Sequence, residues 1–303
     1  MTCGLIVLLC YMCRWDRLAM VWSVGDRGLW LVTIVLLNLS LLAGALALYL
    51  LVRDGNSEIL WTHFVLDYAH VQAICQVTPG QLGEALLPYM NRSTTAQPGT
   101  IVAGLVMQRI VAVLVVSLAA VVFCSSWMRP DALIAFTGGG VLFCVVVACL
   151  IGHTGIRAAA NHFIGKRCGP VLNGFYSAWQ KIVHENRTRR LLPHALLMIL
   201  RYGATVTASY VVFRSFDISV PYFALTGVLA VATLATLIPI SLSGLGVVEA
   251  VTVLSLRSYG VNSEEILAAC LVGRGLTLIV LLNWSLVFWT VRWTSHRSTQ
   301  RAA

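Results

Sequence analysis

Charged residues are scarce in this chain of 303 residues. Asp, Glu, Lys and Arg together make up 11% of the sequence, whereas soluble globular domains contain about 25%. Hydrophobic residues make up 58%, and the mean hydropathy is +0.83. This composition excludes a soluble domain and supplies the runs of about 20 apolar residues that a bilayer core requires. It therefore predicts an all-α, polytopic integral membrane protein.

Acidic residues are the scarcer charge type, with 12 Asp and Glu against 21 Lys and Arg. The basic residues behind the net charge of +9 lie beside apolar spans, which favours contact with an anionic lipid surface over nucleic-acid binding. We expect no nucleic-acid partner. The N-terminus lacks a basic leader and a small-residue cleavage site, so residues 4–12 predict a short first helix rather than a signal peptide.

Convincing metal-ligand spacing is also missing. Cys10-Tyr-Met-Cys13 is a lone CxxC motif in an apolar segment, and the nine cysteines, mostly in or beside apolar runs, imply no disulfide framework. His63, Asp67 and His70 share a helical face, which the polar flank of an interfacial helix explains better than a metal site. We expect neither a metal nor a cofactor.

Two apolar stretches are interrupted by Pro, Gly and Ser residues that lead into a glutamate. The first is Thr78-Pro-Gly-Gln-Leu-Gly-Glu84, and the second is Pro239-Ile-Ser-Leu-Ser-Gly-Leu-Gly-Val-Val-Glu249. Pro removes a backbone donor and Gly loosens the backbone, so a spanning helix must stop at each break. Irregular backbone survives in hydrocarbon only if it is buried in protein or lines a wet cavity. We therefore predict two re-entrant broken-helix hairpins, at residues 59–90 and 221–258.

Each of these glutamates is followed 25 residues later by an arginine inside an apolar run, which pairs Glu84 with Arg109 and Glu249 with Arg274. An ionisable residue at membrane depth is a functional-site hypothesis by default. The donor fork of arginine matches phosphate oxygens, so we expect the arginines to bind a lipid headgroup phosphate. The glutamates would hold the arginines in place or receive a proton. The alternative is that each pair only fixes its hairpin.

Backbone amides at the two breaks would add donors for the same anion. The half-helices that we expect to start after Gly83 and Gly246 direct their N-terminal N–H groups and dipoles toward it. The predicted headgroup-binding site therefore combines the four charged residues with turn residues: Arg109, Arg274, Glu84, Glu249, Gly80, Gly83, Ser243, Gly244 and Gly246.

The segment 153–190 carries seven basic residues and is predicted to be cytoplasmic by the positive-inside rule. It also carries an apolar stripe that predicts an amphipathic helix lying on the inner leaflet. The stripe consists of Leu172, Phe175, Tyr176, Trp179, Ile182 and Val183.

With the segment 153–190 on the cytoplasmic side of the membrane, the first hairpin opens to the cytoplasm and the second opens outward. The chain then forms a single domain, 1–303, whose halves 1–152 and 191–303 are an inverted repeat. Arg14, Arg17 and Arg27 would face outward, against the positive-inside rule. The predicted spans are Leu29–Val52 and residues 100–127, 132–151, 191–213 and 265–291.

The two hairpin motifs, with Arg109, Tyr259-Gly260 and Arg274, resemble the lysylphosphatidylglycerol synthase transmembrane region, also called the flippase-like domain family. The resemblance covers nearly the whole chain. The family often has an arginine shortly after the first glutamate, an acidic residue before the first arginine and an arginine before the second glutamate. This chain has Leu86-Leu-Pro88, Gln108 and Val248 at those places.

The resemblance implies binding and transbilayer movement of a phospholipid or a polyprenyl-phosphate-linked lipid, in a bacterial or archaeal cytoplasmic membrane. In bifunctional members, a separate cytosolic domain transfers an aminoacyl group. This chain stops at Ala303, a dozen residues after the last predicted span, so we expect no enzymatic activity.

Two other classes stay in view. A non-transporting accessory subunit of a membrane glycosyltransferase or synthase would have almost the same sequence features. The sequence also leaves open whether the protein forms a homo-oligomer. A membrane-embedded transferase is the least favoured class, because no acidic pair or metal-ligand cluster with suitable spacing faces an aqueous edge.

Overall fold

The computed structural model describes residues 26–53, 60–78, 82–90, 98–124, 130–152, 171–185, 190–236 and 244–302. Throughout these ranges the regular structure is helical, without a strand. Four of the helices are long and apolar enough to cross a membrane: Arg27–Val52, Pro98–Cys124, Leu192–Ser215 and Ser263–Thr294. The predicted class, a multi-pass all-α membrane protein, is confirmed. The predicted helix at 4–12 and the Cys10–Cys13 motif lie outside the described residues.

We number the α-helices along the chain. The first five are α1 (Arg27–Val52), α2 (Trp61–Val77), α3 (Pro98–Cys124), α4 (Pro130–Gly152) and α5 (residues 171–180). The last four are α6 (Leu192–Ser215), α7 (Tyr222–Ala235), α8 (Val247–Leu256) and α9 (Ser263–Ala302).

Short turns complete the described chain. A 3-10 turn, Leu82–Leu86, and an α-helical turn, Leu87–Met90, together form what we call the 82–90 segment. A π-helical turn, Lys181–Glu185, follows α5, and a 3-10 turn, Arg257–Tyr259, follows α8. Four of the predicted spans agree with α1, α3, α6 and α9. The fifth, 132–151, coincides with α4, which is not among these four candidate membrane spans.

The helices α1 and α6 run antiparallel and form the most extensive helix contact. At one end, Trp30 Nε1 donates to Ser215 Oγ at 3.0 Å. At the other end, His194 Nδ1 lies 2.9 Å from the carbonyl oxygen of Ala47. The hydrophobic effect does not drive helices together inside a membrane, because lipid tails are as apolar as the helix surfaces. Close packing and hydrogen bonds of this kind hold the helices together instead.

The helices that precede the two predicted breaks, α2 and α7, each pack against a long helix from the other half of the chain. The helix α2 runs antiparallel to α9, where the His70 ring stacks on Phe288 with centroids 4.3 Å apart. The start of α7 packs against the end of α3, where Phe223 stacks on Phe123 with centroids 5.6 Å apart. The two halves of the chain are therefore interleaved.

The polar residues of α2 lie within this packing. Asp67 is 5% exposed and lies 3.4 Å from Nη2 of Arg292 on α9. His70 Nδ1 lies 3.2 Å from Ser285 Oγ. The prediction that His63, Asp67 and His70 form a polar interfacial flank is therefore wrong for Asp67, which is buried against α9. Within the described ranges, no group of three His, Cys, Asp or Glu residues is placed to hold a metal ion.

The helix α5 and the turn after it carry the apolar stripe of the linker. Trp179 and Ile182 are buried in a cluster with residues of α1 and α3, and Phe175 and Val183 pack against it. Tyr176 is buried as well. A Cβ atom at Gly99, near the start of α3, would lie 2.2 Å from the Val171 carbonyl oxygen, so glycine permits this close crossing. The stripe was predicted to lie on the inner leaflet; its buried part instead packs against protein.

Candidate functional site

The first predicted ion pair joins α3 to the 82–90 segment. Arg109 Nε donates to Glu84 Oε2 at 3.1 Å, and Arg109 Nη2 donates to Glu84 Oε1 at 2.6 Å. This bidentate geometry is the strong form of an arginine–carboxylate contact. Gln72 on α2 donates from Nε2 to Glu84 Oε1 at 3.2 Å. The structure therefore brings Glu84 and Arg109 together and ties them to α2.

Gly83 allows the 82–90 segment to approach α2 closely. A Cβ atom at Gly83 would lie 3.0 Å from both the backbone nitrogen and the Sγ atom of Cys75. The Gly83 N–H donates to Thr78 Oγ1 at 3.1 Å. This amide was predicted to face an anion, but its hydrogen bond goes to the Thr78 hydroxyl. The residues after Gly83 also form a 3-10 turn rather than the start of a long half-helix.

The second predicted ion pair joins α8 to α9. Arg274 Nε donates to Glu249 Oε1 in a short hydrogen bond. The other carboxylate oxygen, Glu249 Oε2, accepts the Gly246 N–H at 2.7 Å and so caps the start of α8. The Gly246 amide is thus bonded to Glu249, not directed at an anion as predicted. Glu249 fixes both the turn and the arginine.

The turn into α8 requires glycine at two positions. Gly244 has φ of 72° and Gly246 has φ of 88°, in the left-handed region that disfavours other L-residues. A Cβ atom at Gly244 would also lie 2.5 Å from Cγ2 of Thr236, at the end of α7. These glycines let the chain reverse tightly and place Glu249 opposite Arg274.

The second pair borders a cavity of about 170 Å³ between α1, α6, α7, α8 and α9. Glu249 and Arg274 lie in its wall. Hydroxyl groups from three helices line it as well: Thr33, Thr205, Ser209 and Thr277. A cavity of this size accommodates several water molecules or a phosphate-sized group.

The two pairs differ in exposure. The Arg109 and Glu84 side chains are 45% and 18% exposed. The Arg274 and Glu249 side chains are 23% and 3% exposed. The first pair therefore reaches open space, whereas the second is enclosed beside its cavity. The shared spacing of 25 residues carries no information about this difference.

Two predicted site residues, Gly80 and Ser243, lie outside the described part of the chain. Sequence reasoning also missed Arg201 on α6, whose Nη1 donates to the Tyr68 hydroxyl at 3.0 Å. A signal was present, because an arginine inside an apolar span is itself a functional-site hypothesis. The cavity hydroxyls gave a weaker signal, as Ser and Thr also occur in spans for helix packing alone.

Comparison with known proteins gives one family match. The family model described as "Lysylphosphatidylglycerol synthase TM region" matches residues 2–285. The matched range contains both ion pairs and the cavity. No curated protein matches the chain.

Proposed function

The chain belongs to the lysylphosphatidylglycerol synthase transmembrane-region family, and from this premise we propose that it binds a phosphate-bearing lipid and moves it across the bilayer. The family indicates a membrane domain related to lipid handling. The lipid is a phospholipid or a polyprenyl-phosphate-linked compound, and the membrane is the cytoplasmic membrane of a bacterium or archaeon. The chain itself transfers no chemical group.

The observation that carries this proposal is the pair of Glu–Arg contacts at matching depths. Arg109 lies about 16 Å along α3 from its start, and Arg274 lies about 16 Å along α9 from its own start, at 1.5 Å per residue. In a hydrocarbon core about 30 Å thick, each arginine is close to the middle. A lone charge there costs about 2.5–3.5 kcal/mol, so charged residues at this depth require a partner or a ligand.

The chemistry of the pairs suits a phosphate ligand. Two phosphate oxygens match the same guanidinium N–H groups that the Glu84 carboxylate occupies on Arg109. A lipid phosphate therefore competes with Glu84 for Arg109, and with Glu249 for Arg274. The displaced carboxylate must gain a proton or another donor, because an unpaired charge is unfavourable at this depth. The glutamates thus keep each arginine neutralised between lipid-binding events.

The helix packing supports an inverted arrangement of the two halves. The first long helix of each half, α1 and α6, meet antiparallel. The broken region of each half packs on the last long helix of the other, α2 on α9 and α7 on α3. Inverted repeats with broken helices that meet near the bilayer midplane are typical of transporters that alternate access between two sides. The exposed first pair and the enclosed second pair fit one state of such a cycle.

A vesicle assay tests the proposal. The full chain is reconstituted with fluorescent phosphatidylglycerol, and a membrane-impermeant reductant then bleaches only the outer-leaflet probe. We expect the wild-type protein to raise the bleached fraction from about half toward completion. The double variant Arg109→Gln, Arg274→Gln is expected to lose this activity. The matched control is Arg214→Gln, because Arg214 is an exposed arginine at the end of α6.

Mass spectrometry of copurifying lipids separates the remaining outcomes. Enrichment of one phosphate-bearing lipid in the wild type, lost in the double variant, supports a headgroup site. Specific lipid retention without movement in vesicles would favour an accessory subunit of a glycosyltransferase or synthase. Equal lipid movement by the wild type and the double variant would mean that the ion pairs only fix the hairpins.

A further inference from the structure

A third arginine at membrane depth has no acidic partner within the described ranges. Arg201 is about 13 Å along α6 from its start, at 1.5 Å per residue. Its Nη1 atom donates to the Tyr68 hydroxyl at 3.0 Å. Among the residues that the structure describes, no carboxylate pairs with Arg201, in contrast to Arg109 and Arg274. Its charge is therefore available for an anion that the described part of the chain does not supply.

The surroundings of Arg201 are shaped to hold a guanidinium group. A Cβ atom at Gly44 on α1 would lie 2.9 Å from Arg201 Nη1 and 2.9 Å from the Tyr68 hydroxyl. Tyr68 is 1% exposed, so its ring is fixed in the core. The absence of a side chain at Gly44 thus lets Arg201 lie against α1 and reach the hydroxyl of a buried tyrosine on α2.

A second polar group beside Arg201 also lacks a full set of partners. Gln108 on α3 is 5% exposed and donates from Nε2 to the Tyr68 hydroxyl at 3.3 Å. Its Oε1 atom is buried, and no group in the described ranges donates to it. Buried polar atoms in proteins are nearly always hydrogen-bonded. The unused amide oxygen is an acceptor, so it marks a place for a donor, such as a water molecule or a hydroxyl group of the ligand, next to this cluster.

Arg201 and the first ion pair lie along the same face of α2. Tyr68, Gln72 and Cys75 are spaced three or four residues apart, which places them on one side of the helix. Tyr68 contacts Arg201, whereas Gln72 contacts Glu84. Cys75, next along this face, lies against Gly83, the chain neighbour of Glu84. The two arginines therefore belong to one polar region.

Counted over the residues that the structure describes, the charges in this region do not balance. Arg109 and Arg201 contribute two positive charges, and Glu84 contributes one negative charge. An uncompensated charge in the membrane interior is unfavourable, and one anionic group would neutralise it. We propose that Arg201 binds an anionic phosphate oxygen next to the Glu84–Arg109 pair, so that two arginines of the first site contact one lipid phosphate. This inference rests on the proposed function and adds a ligand-binding residue to the same site.

Binding measurements on the full chain test this assignment. The protein is purified in a maltoside detergent that contains no phosphate, and a soluble short-chain phosphatidylglycerol is titrated in by calorimetry. We expect Arg201→Gln to weaken binding roughly ten- to a hundredfold, the value of a charge-assisted hydrogen bond. Arg201→Lys, which keeps the charge, should lose less. Arg214→Gln, on the same helix, is the control and should bind as the wild type does.

A tyrosine variant separates ligand binding from a structural role. Tyr68→Phe removes the hydroxyl that Arg201 contacts but keeps both the ring and the arginine charge. We expect it to weaken binding by about threefold or less. A loss as large as that of Arg201→Gln would overturn the inference, because the arginine would then act by holding α2 in place. Melting temperatures of all variants show whether each is folded.

Further outcomes distinguish this inference from the proposed function. If Arg109→Gln loses binding and Arg201→Gln binds as the wild type does, the proposed function stands and the role of Arg201 is refuted. If the wild type binds neither short-chain phosphatidylglycerol nor a short-chain polyprenyl phosphate, the proposed function itself fails. Inorganic phosphate is titrated as a second probe. Binding of phosphate as tight as that of the lipid, and dependent on Arg201, would overturn the assignment to a lipid.

Discussion

Replacing Glu249 by glutamine is expected to destabilise the protein much more than the same change at Glu84. The Glu249 side chain is 3% exposed, and the change leaves the Arg274 charge without this carboxylate in an enclosed site. Removing one partner of a buried ion pair costs about 3–5 kcal/mol. We expect the lower value, about 3 kcal/mol, because Arg274 is 23% exposed. The glutamine also retains an oxygen that can accept the Gly246 N–H.

Thermal unfolding in detergent, followed by circular dichroism, measures the difference. A change of 1 kcal/mol shifts Tm by about 2–4 °C in domains of about 150–250 residues, so Glu249→Gln should lower Tm by about 6–12 °C. At the first pair, the Arg109 side chain is 45% exposed and solvent screens its charge. An exposed pair contributes about 1 kcal/mol or less, so Glu84→Gln should lower Tm by about 4 °C at most.

A second substitution checks that the lost stability comes from the charge. Adding Arg274→Met to Glu249→Gln removes the uncompensated cation, and a buried ion pair replaced by apolar groups is often neutral in stability. The double variant should therefore recover most of the lost Tm. Equal Tm shifts for Glu84→Gln and Glu249→Gln would refute the reasoning, because burial would then not set the strength of the pairs.

Three glycine substitutions, two of which have a second glycine substitution as their control, give further tests. Gly244 has φ of 72°, and a Cβ atom there would lie 2.5 Å from a threonine methyl group, whereas Gly260 has φ of 77° and no atom within 4 Å of its Cβ position. Gly244→Ala should therefore lower Tm more than Gly260→Ala. A larger effect at Gly260 would contradict this. Gly273→Leu, in the cavity wall, should block lipid movement in vesicles, whereas Gly275→Leu, also with no atom within 4 Å, should not. Gly99→Ala, with its Cβ 2.2 Å from a backbone carbonyl of α5, should displace α5 and speed limited proteolysis of residues 171–185.

The sequence alone was sufficient for the membrane class and for both ion pairs. Apolar length predicts spanning helices directly, and the shared spacing of 25 residues predicts which arginine meets which glutamate. The roles of the glycine amides could not be predicted in the same way. Local side chains, Thr78 and Glu249, accept the Gly83 and Gly246 N–H groups. Such short-range competition for an amide depends on backbone geometry that a motif does not record.

Other features depend on contacts between distant parts of the chain. The Tyr68–Arg201 contact joins residues 133 positions apart, and the Tyr68–Gln108 contact joins residues 40 apart. The apolar stripe of α5 was recognised, but periodicity does not say whether lipid or protein covers a hydrophobic face. The difference in exposure between the two ion pairs likewise depends on the packing of whole helices.

The interleaving of the two halves has a consequence for biogenesis. The helix α2 packs against α9, and His70 meets Ser285, 215 positions later in the chain, only after the ribosome has reached that residue. At about 5–20 residues per second, that synthesis takes about 10–40 s. Throughout this interval the buried Asp67 has no Arg292 to pair with. The helix α2 therefore stays without its α9 contacts until the last long helix has been synthesised.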